Sequence, residues 1–298
     1  MSNIIRINLC GKTQVVTEDG VALEKLGGVK PRQVLEMLAL SVGRPLSKDR
    51  LAQLLWDEEP PPSYVGTLES YVCVLRRILG SKGRDSVIQT TTTGYLLRRD
   101  RVVVDIDMAR RLLTRARTAR AAEAERLVDS ALAMLDGDLL ASEPNAAWAH
   151  AQRTVHERET VDLLTDVAAH ALGLGEPALA LRLAAAVTRR DRLAERAWQI
   201  QLQALTDQRR YGEALAGYAS LRETLRDELG TEPTAETRRL YEEVLSRSRH
   251  QDAEGSSRAE LATLVRLLRQ ALESTPGIRV PDRDEPLTAL AVRVLQTA

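Results

Sequence analysis

Residues 47–97, SKDRLAQLLWDEEPPPSYVGTLESYVCVLRRILGSKGRDSVIQTTTTGYLL, decide the fold of this chain. Ser47 stands where a helix N-cap is wanted, and Leu51, Leu54 and Leu55 follow at helical spacing, with Trp56 at the end. Three consecutive prolines at 60–62 force an extended link, because each proline disfavours helix in the residue before it. A second helix is predicted from near Ser63 to Leu79, with Leu68, Val72, Leu75 and Leu79 on one side. Residues 87–90 and 95–99 then read as two strands around a tip at 91–94, where Gly94 closes a run of threonines. Helix, loop, helix and hairpin in this order give a winged helix-turn-helix, which sets one helix in a DNA groove and a hairpin beside it.

Outward from this stretch, residues 4–9 alternate as a strand, and 15–16 and 21–23 suggest two more, with turns at Gly11 and at Asp19-Gly20. Pro31 suits a first helical position, and Val34, Leu35 and Leu38 form the apolar face of a helix that Gly43 stops. From about Asp105 the patterns are helical only. Ala168 recurs as Ala204, residues 178–180 as 214–216, and Leu193 as Leu229, a spacing of 36. Small residues at such positions let paired helices approach closely, as in tetratricopeptide-like hairpins. Ala214, Leu215, Tyr218, Leu221 and Leu225 make one stripe, ended by Gly230 and Pro233. Residues 251–257 (QDAEGSS) are polar and read as a linker; 261–272 suggest a helix, 276–286 a break and 287–295 a short last helix. The expected organisation is therefore an α+β winged helix-turn-helix at 1–104, an all-α tetratricopeptide-like repeat domain at 105–250, and a linker with helical tail at 251–298.

Composition fits a globular chain with two cores. Its 298 residues are 44% hydrophobic but only 3% aromatic, with no Phe, so the cores rest on Leu, Val and Ala. Cys10 and Cys73 offer neither a disulfide framework nor a metal motif. The first residues have no basic region leading into an apolar run, and no stretch reaches membrane length, so the expectation is a cytoplasmic protein without membrane partners. The net charge of zero hides a division. Residues 1–104 hold 15 Lys and Arg against 11 Asp and Glu, and the remainder 27 against 31. Arg76, Arg77, Lys82 and Arg84 cluster within 76–84 without an intervening acid, which is what phosphate contacts need.

With Val72 as reference and a step of about 100° per residue, the second helix opposes its apolar side with Ser63, Gly66, Thr67, Ser70, Cys73, Val74 and Arg77. Small and hydroxylic residues there permit close approach to base edges, and Arg77 can reach guanine or phosphate. Arg76 falls on the flank, suited to a phosphate or a salt bridge. An isolated helix of this kind would read as an ordinary solvated face; the preceding helix and following hairpin favour the DNA reading.

These pieces resemble the Streptomyces antibiotic regulatory protein family, in which an OmpR-type winged helix precedes a bacterial transcriptional activator domain. The resemblance rests on PRQVLEMLAL, SKDRLAQLLWDEEPP, TLESYVCVLRRILG and TGYLL, and later on YGEALAGYASLRETLRDELGTEPTAETRRLYEEVL, and spans roughly residues 4–248. It implies an activator of secondary-metabolite genes that binds direct repeats in double-stranded promoter DNA, associates with itself there, and recruits RNA polymerase with its sigma factor. The loop carrying Asp57, Glu58 and Glu59 is one candidate polymerase surface, though it equally suits a plain connector. Two departures stand out. Val74 replaces the basic residue common before the LRR motif, where a thymine-methyl contact is conceivable. The tip Thr91, Thr92 and Thr93 lacks arginine, so the charge of the wing must come from Lys82, Arg84, Arg98 or Arg99. Large members carry an ATPase domain; this chain has no G-x-x-x-x-G-K-[ST] loop, and no cofactor is expected.

An enzyme reading has little to stand on. His150 and His156 are six apart and fall on different helix faces, unlike the two His of an H-E-x-x-H metal site. His170 and His250 have no carboxylate or cysteine arrangement around them. Cys73 permits redox sensitivity, but a small edge residue explains it better. A helical scaffold without DNA binding would explain only 105–248. A response regulator would need a receiver domain before the DNA-binding half.

Overall fold

The computed structural model describes residues 4–23, 25–57, 59–80 and 86–273, the side chains of 252–261, 265 and 268–273 excepted. A four-stranded sheet in the order β3-β2-β1-β7 opens the chain, made of β1 (Ile5–Asn8), β2 (Gln14–Val16), β3 (Ala22–Leu23) and β7 (Val102–Val104). The neighbours are antiparallel except β1 and β7, which run parallel with Ile5 opposite Val102 and Ile7 opposite Val104. Between β3 and β7 lie α1 (Val29–Leu40), β4 (Leu46–Ser47), α2 (Lys48–Leu55), α3 (Tyr64–Ile78), β5 (Ile88–Thr90) and β6 (Gly94–Leu97). β4, β6 and β5 form a second small sheet whose β5–β6 hairpin is the wing.

The capping serine behaves as its position suggests: Ser47 Oγ accepts the Arg50 N–H at 3.1 Å and starts α2. α1 begins two residues before Pro31, which thus lies in the first turn, where its missing N–H costs nothing. Leu68, Val72 and Leu75 are buried against α1 and α2, each contributing roughly 2 kcal/mol. Gly94 admits no side chain, since a Cβ there would sit 1.9 Å from the Leu46 carbonyl oxygen.

The helical half comprises α4 (Asp105–Ala116), α5 (Ala121–Met134), α6 (Ala147–Gly173), α7 (Pro177–Arg190), α8 (Glu195–Asp207), α9 (Tyr211–Leu229) and α10 (Ala235–Glu273). α6 with α7 and α8 with α9 are the hairpins that the 36-residue spacing implies, and Ala168, Ala180, Ala204 and Ala214 are fully buried where they meet. Gly230, at φ 66°, ends α9 in a left-handed cap. Residues 251–257 are not a linker: α10 continues through them. A lone Gly255 between helix-favouring Ala, Glu and Arg residues costs about 1 kcal/mol, too little to break a helix of this length. The segments at 276–286 and 287–295 lie outside the described residues.

The two halves are joined stiffly. Asp105, first residue of α4, accepts the N–H groups of Leu9 at 2.7 Å and Cys10 at 2.8 Å with Oδ2, and that of Ile106 with Oδ1. Leu140 N–H donates to the Leu9 carbonyl and Gly11 N–H to that of Asp138, docking the α5–α6 loop onto the sheet. Glu143 from that loop accepts from Gln33 Nε2 at 2.6 Å and from Arg32, while Thr13 Oγ1 donates to Glu36 Oε1 at 2.6 Å. Burial pushes the Glu36 carboxyl up to about 7, with Glu143 adding to the effect and Thr13 and Arg32 opposing it.

Candidate nucleic-acid interface

α3 is held at both ends by its neighbours. Tyr64 OH donates to Asp49 Oδ1 at 2.6 Å, fixing its start to α2, and Arg76 near its end reaches the wing. Its exposed residues are Val65, Gly66, Glu69, Ser70, Cys73 and Arg77, with Ser63 exposed just before the helix. This face is rotated from the one the apolar wheel gives. Thr67 and Val74 are half-buried on the flank, and a Cβ on Gly27 would lie 2.5 Å from Val74 Cγ1. Val74 Cγ1 thus packs on the turn before α1. The rotation follows from Tyr71 and Ile78, which are half-buried too and draw the buried side toward themselves.

Hydroxyls on α3 point their protons inward. Ser70 Oγ donates to the Gly66 carbonyl at 3.0 Å and Thr67 Oγ1 to that of Ser63 at 3.2 Å, so Ser70 offers lone pairs to the outside. Arg77 is exposed and has no ion pair among the described residues, which leaves its guanidinium for phosphate or base. Arg76 is differently employed. Its Nε and Nη2 donate to the Ile88 carbonyl at 3.0 and 2.8 Å, and Nη2 to Thr90 Oγ1 at 2.7 Å. These bonds make it a strut between α3 and the wing.

In the wing, Thr91 N–H donates to the Gly94 carbonyl and Thr91 Oγ1 accepts the Gly94 N–H at 3.1 Å, so this threonine builds the turn. Thr92 and Thr93 are exposed at the tip. Arg98 is engaged by Asp100, Nη2 to Oδ2 at 2.5 Å, and this pair neutralises its charge locally. Lys82, Arg84 and Glu58 lie outside the described residues.

Two residues that the sequence reading passed over join this surface. Lys48, the first residue of α2, donates its N–H to the Thr93 carbonyl at 3.0 Å and pairs through Nζ with Glu69 Oε1 at 2.7 Å. It ties wing tip, α2 and α3 together, and hydrogen bonding to Glu69 holds its own pKa above the usual lysine value. Its position just after a capping serine was the available signal, because a helix start brings a side chain to the same surface as the strand before it. The α2–α3 loop is also well anchored. Lys30 Nζ donates to the Leu55 carbonyl at 2.6 Å and lies 5.9 Å over the Trp56 ring, and Asp57 and Glu59 stand exposed, Asp57 with φ 49°.

Away from this surface, His156 lines an open cleft of about 660 Å³ with Arg153, Arg158 and Arg190. Arg153 there donates to the carbonyls of Leu139, Leu140 and Glu143, and Arg190 pairs with Glu157 at 3.2 Å, so both serve the fold. Among the described residues no three His, Cys, Asp or Glu side chains gather as a metal site, and no helix is long and apolar enough to cross a membrane.

The transcriptional regulatory protein C-terminal domain matches residues 27–97, and the bacterial transcriptional activator domain matches residues 104–245. The chain belongs to the Streptomyces antibiotic regulatory protein family. This family member is 33% identical over 237 residues to the regulatory protein AfsR of Streptomyces griseus, a match covering 76% of this chain and 23% of AfsR. It is 29% identical over 229 residues to the transcriptional regulatory protein MoaR1 of Mycobacterium tuberculosis, covering 74% of this chain and 73% of MoaR1. A solved structure of Mycobacterium tuberculosis EmbR, in complex with a low affinity phosphopeptide, superimposes with a TM-score of 0.70 at 25% identity, over 88% of this chain and 71% of that one. The chain spans about a quarter of the length of the AfsR relatives it matches. MoaR1 and EmbR are transcriptional regulatory proteins, and AfsR is a regulatory protein.

Proposed function

We propose that this protein activates transcription by binding direct repeats in promoter DNA through α3 and its wing, and by recruiting RNA polymerase to secondary-metabolite genes. The observation that carries the reading is the single surface formed by the open polar face of α3, the threonine tip of the wing and the start of α2, locked together by Arg76 and Lys48. A rigid helix beside a rigid hairpin is what groove and backbone contacts need, and Arg77, without an ion pair among the described residues, supplies charge. Ser63, Ser70, Cys73 and Arg77 are the α3 contacts, with Thr67 at the flank and Thr92 and Thr93 on the adjoining backbone; Lys82 and Arg84 would add charge next to them.

Direct repeats require protomers arranged head to tail, each presenting this surface to successive major grooves. Asp57 and Glu59 of the α2–α3 loop are exposed acids, suited to a basic surface of the sigma factor. Run-off transcription with purified polymerase tests this. Added protein should raise the transcript from a bound promoter, and Asp57→Ala with Glu59→Ala should abolish that rise while DNA binding persists. Unchanged transcript with the wild-type protein bound would refute the activator reading.

A further inference from the structure

The open face of α3 carries an acid where phosphate would repel it. Glu69 sits in the middle of that face, its side chain 57% exposed. Folding does not ask for a carboxylate there: its one ion pair among the described residues, to Lys48, is a surface pair of a kind that contributes little. The pair is nevertheless well placed. Lys48 is fixed by its own N–H bond to the Thr93 carbonyl at 3.0 Å, and its ammonium lies 5.8 Å over the Tyr95 ring. It holds Glu69 Oε1 and leaves Oε2 without a hydrogen bond among the described residues.

The neighbours of Glu69 suit a base edge. Gly66, one turn earlier, has no side chain to hold a base away, and nothing lies within 4 Å of where its Cβ would be. Ser70 has spent its proton on the Gly66 carbonyl and presents acceptor lone pairs. The centre of the face is therefore an acceptor surface flanked by the cation Arg77. In the major groove, guanine turns two acceptors outward and would repel it. Adenine sets the N7 acceptor beside its amino group, while cytosine offers its N4 amino group alone. An acceptor-only carboxylate matches cytosine best.

We propose that Glu69, held by Lys48, is a specificity-determining residue that accepts a hydrogen bond from a cytosine amino group in the major groove. This rests on the reading of α3 as the DNA-contacting helix. The test is selection from a randomised duplex library with the full chain, followed by binding to the selected duplex with single base pairs changed. Wild-type protein should enrich a motif with one position where cytosine is preferred roughly tenfold or more. Glu69→Gln should move that position to adenine, whose N6 and N7 a carboxamide can bind together, and Glu69→Ala should flatten it, with other positions kept. If both variants retain the wild-type preference at every position, Glu69 reads no base and the inference is wrong while the DNA reading stands. If wild-type protein enriches no motif at all, the reading of α3 fails and takes the inference with it.

Discussion

Alanine at Arg76 and alanine at Arg77 should have opposite effects, although the two residues are adjacent and chemically identical. Arg76 donates three hydrogen bonds into the wing, two to the Ile88 carbonyl and one to Thr90 Oγ1. Hydrogen bonds from a charged donor contribute about 1.5–3 kcal/mol each when buried, but the Thr90 bond is exposed. Ser86 Oγ still donates to the Ile88 carbonyl at 2.8 Å once Arg76 is gone, which limits the loss. Arg76→Ala should therefore destabilise by about 1–2 kcal/mol and loosen the wing, weakening DNA binding without changing its salt dependence. Arg77, exposed and without an ion pair among the described residues, has no such partner to lose. Arg77→Ala should leave stability within about 0.5 kcal/mol. It should lower the steepness of log K against log salt by about 0.9 for the one phosphate contact removed. Urea denaturation gives the first quantity, and fluorescence anisotropy on promoter duplex at several salt concentrations gives the second. A reduced salt slope with unchanged stability in Arg76→Ala would refute the assignment of Arg76 as a strut.

Further outcomes follow from the same geometry. Gly94→Ala puts a methyl 1.9 Å from the Leu46 carbonyl oxygen, so it should cost about 1–3 kcal/mol in thermal or urea unfolding and detach the wing from α2; wild-type stability would contradict the β4–β6 packing. Exposed Cys73 should be alkylated by iodoacetamide and protected by bound promoter DNA. Cys10 should stay unmodified in either state, since burial, with Asp105 adding, pushes its thiol up to about 12; mass spectrometry of the tryptic peptides reads both. Glu36 has its folded pKa raised from 4.5 to about 7, so the folded state holds the proton more tightly and stability should fall as pH rises through that window. The full effect is at most ~3 kcal/mol. Glu36→Gln should flatten the curve, and an equally steep fall in that variant would assign it to another group.

The helices of the reading unit were legible because their signals are local. Ser47 caps, the prolines at 60–62 separate, and Leu68, Val72 and Leu75 repeat at helical spacing, so type and order follow from neighbours in the chain. The parallel pairing of β1 with β7 was not, because Ile5 and Val102 meet only through tertiary packing and no turn between them announces it. The rotation of α3 escaped for a related reason. Which side of a helix is buried depends on what lies against it, and half-buried Tyr71 and Ile78 shift the balance that leucines alone suggest. The employment of Arg76 was equally hidden, since a main-chain carbonyl twelve residues away has no signature in side-chain spacing. Expecting a linker at 251–257 put too much weight on Gly255 and two serines within a segment whose flanks favour helix.

The central claim is that α3 and the wing bind repeated promoter elements, and hydroxyl-radical footprinting of the full chain on the intergenic DNA beside its own gene tests it most directly. The account predicts protection of two directly repeated elements on one face of the duplex, fading steeply between about 50 and 200 mM salt because phosphate contacts dominate the affinity. Absence of any protected repeat at the lower salt, with the protein folded, would contradict it.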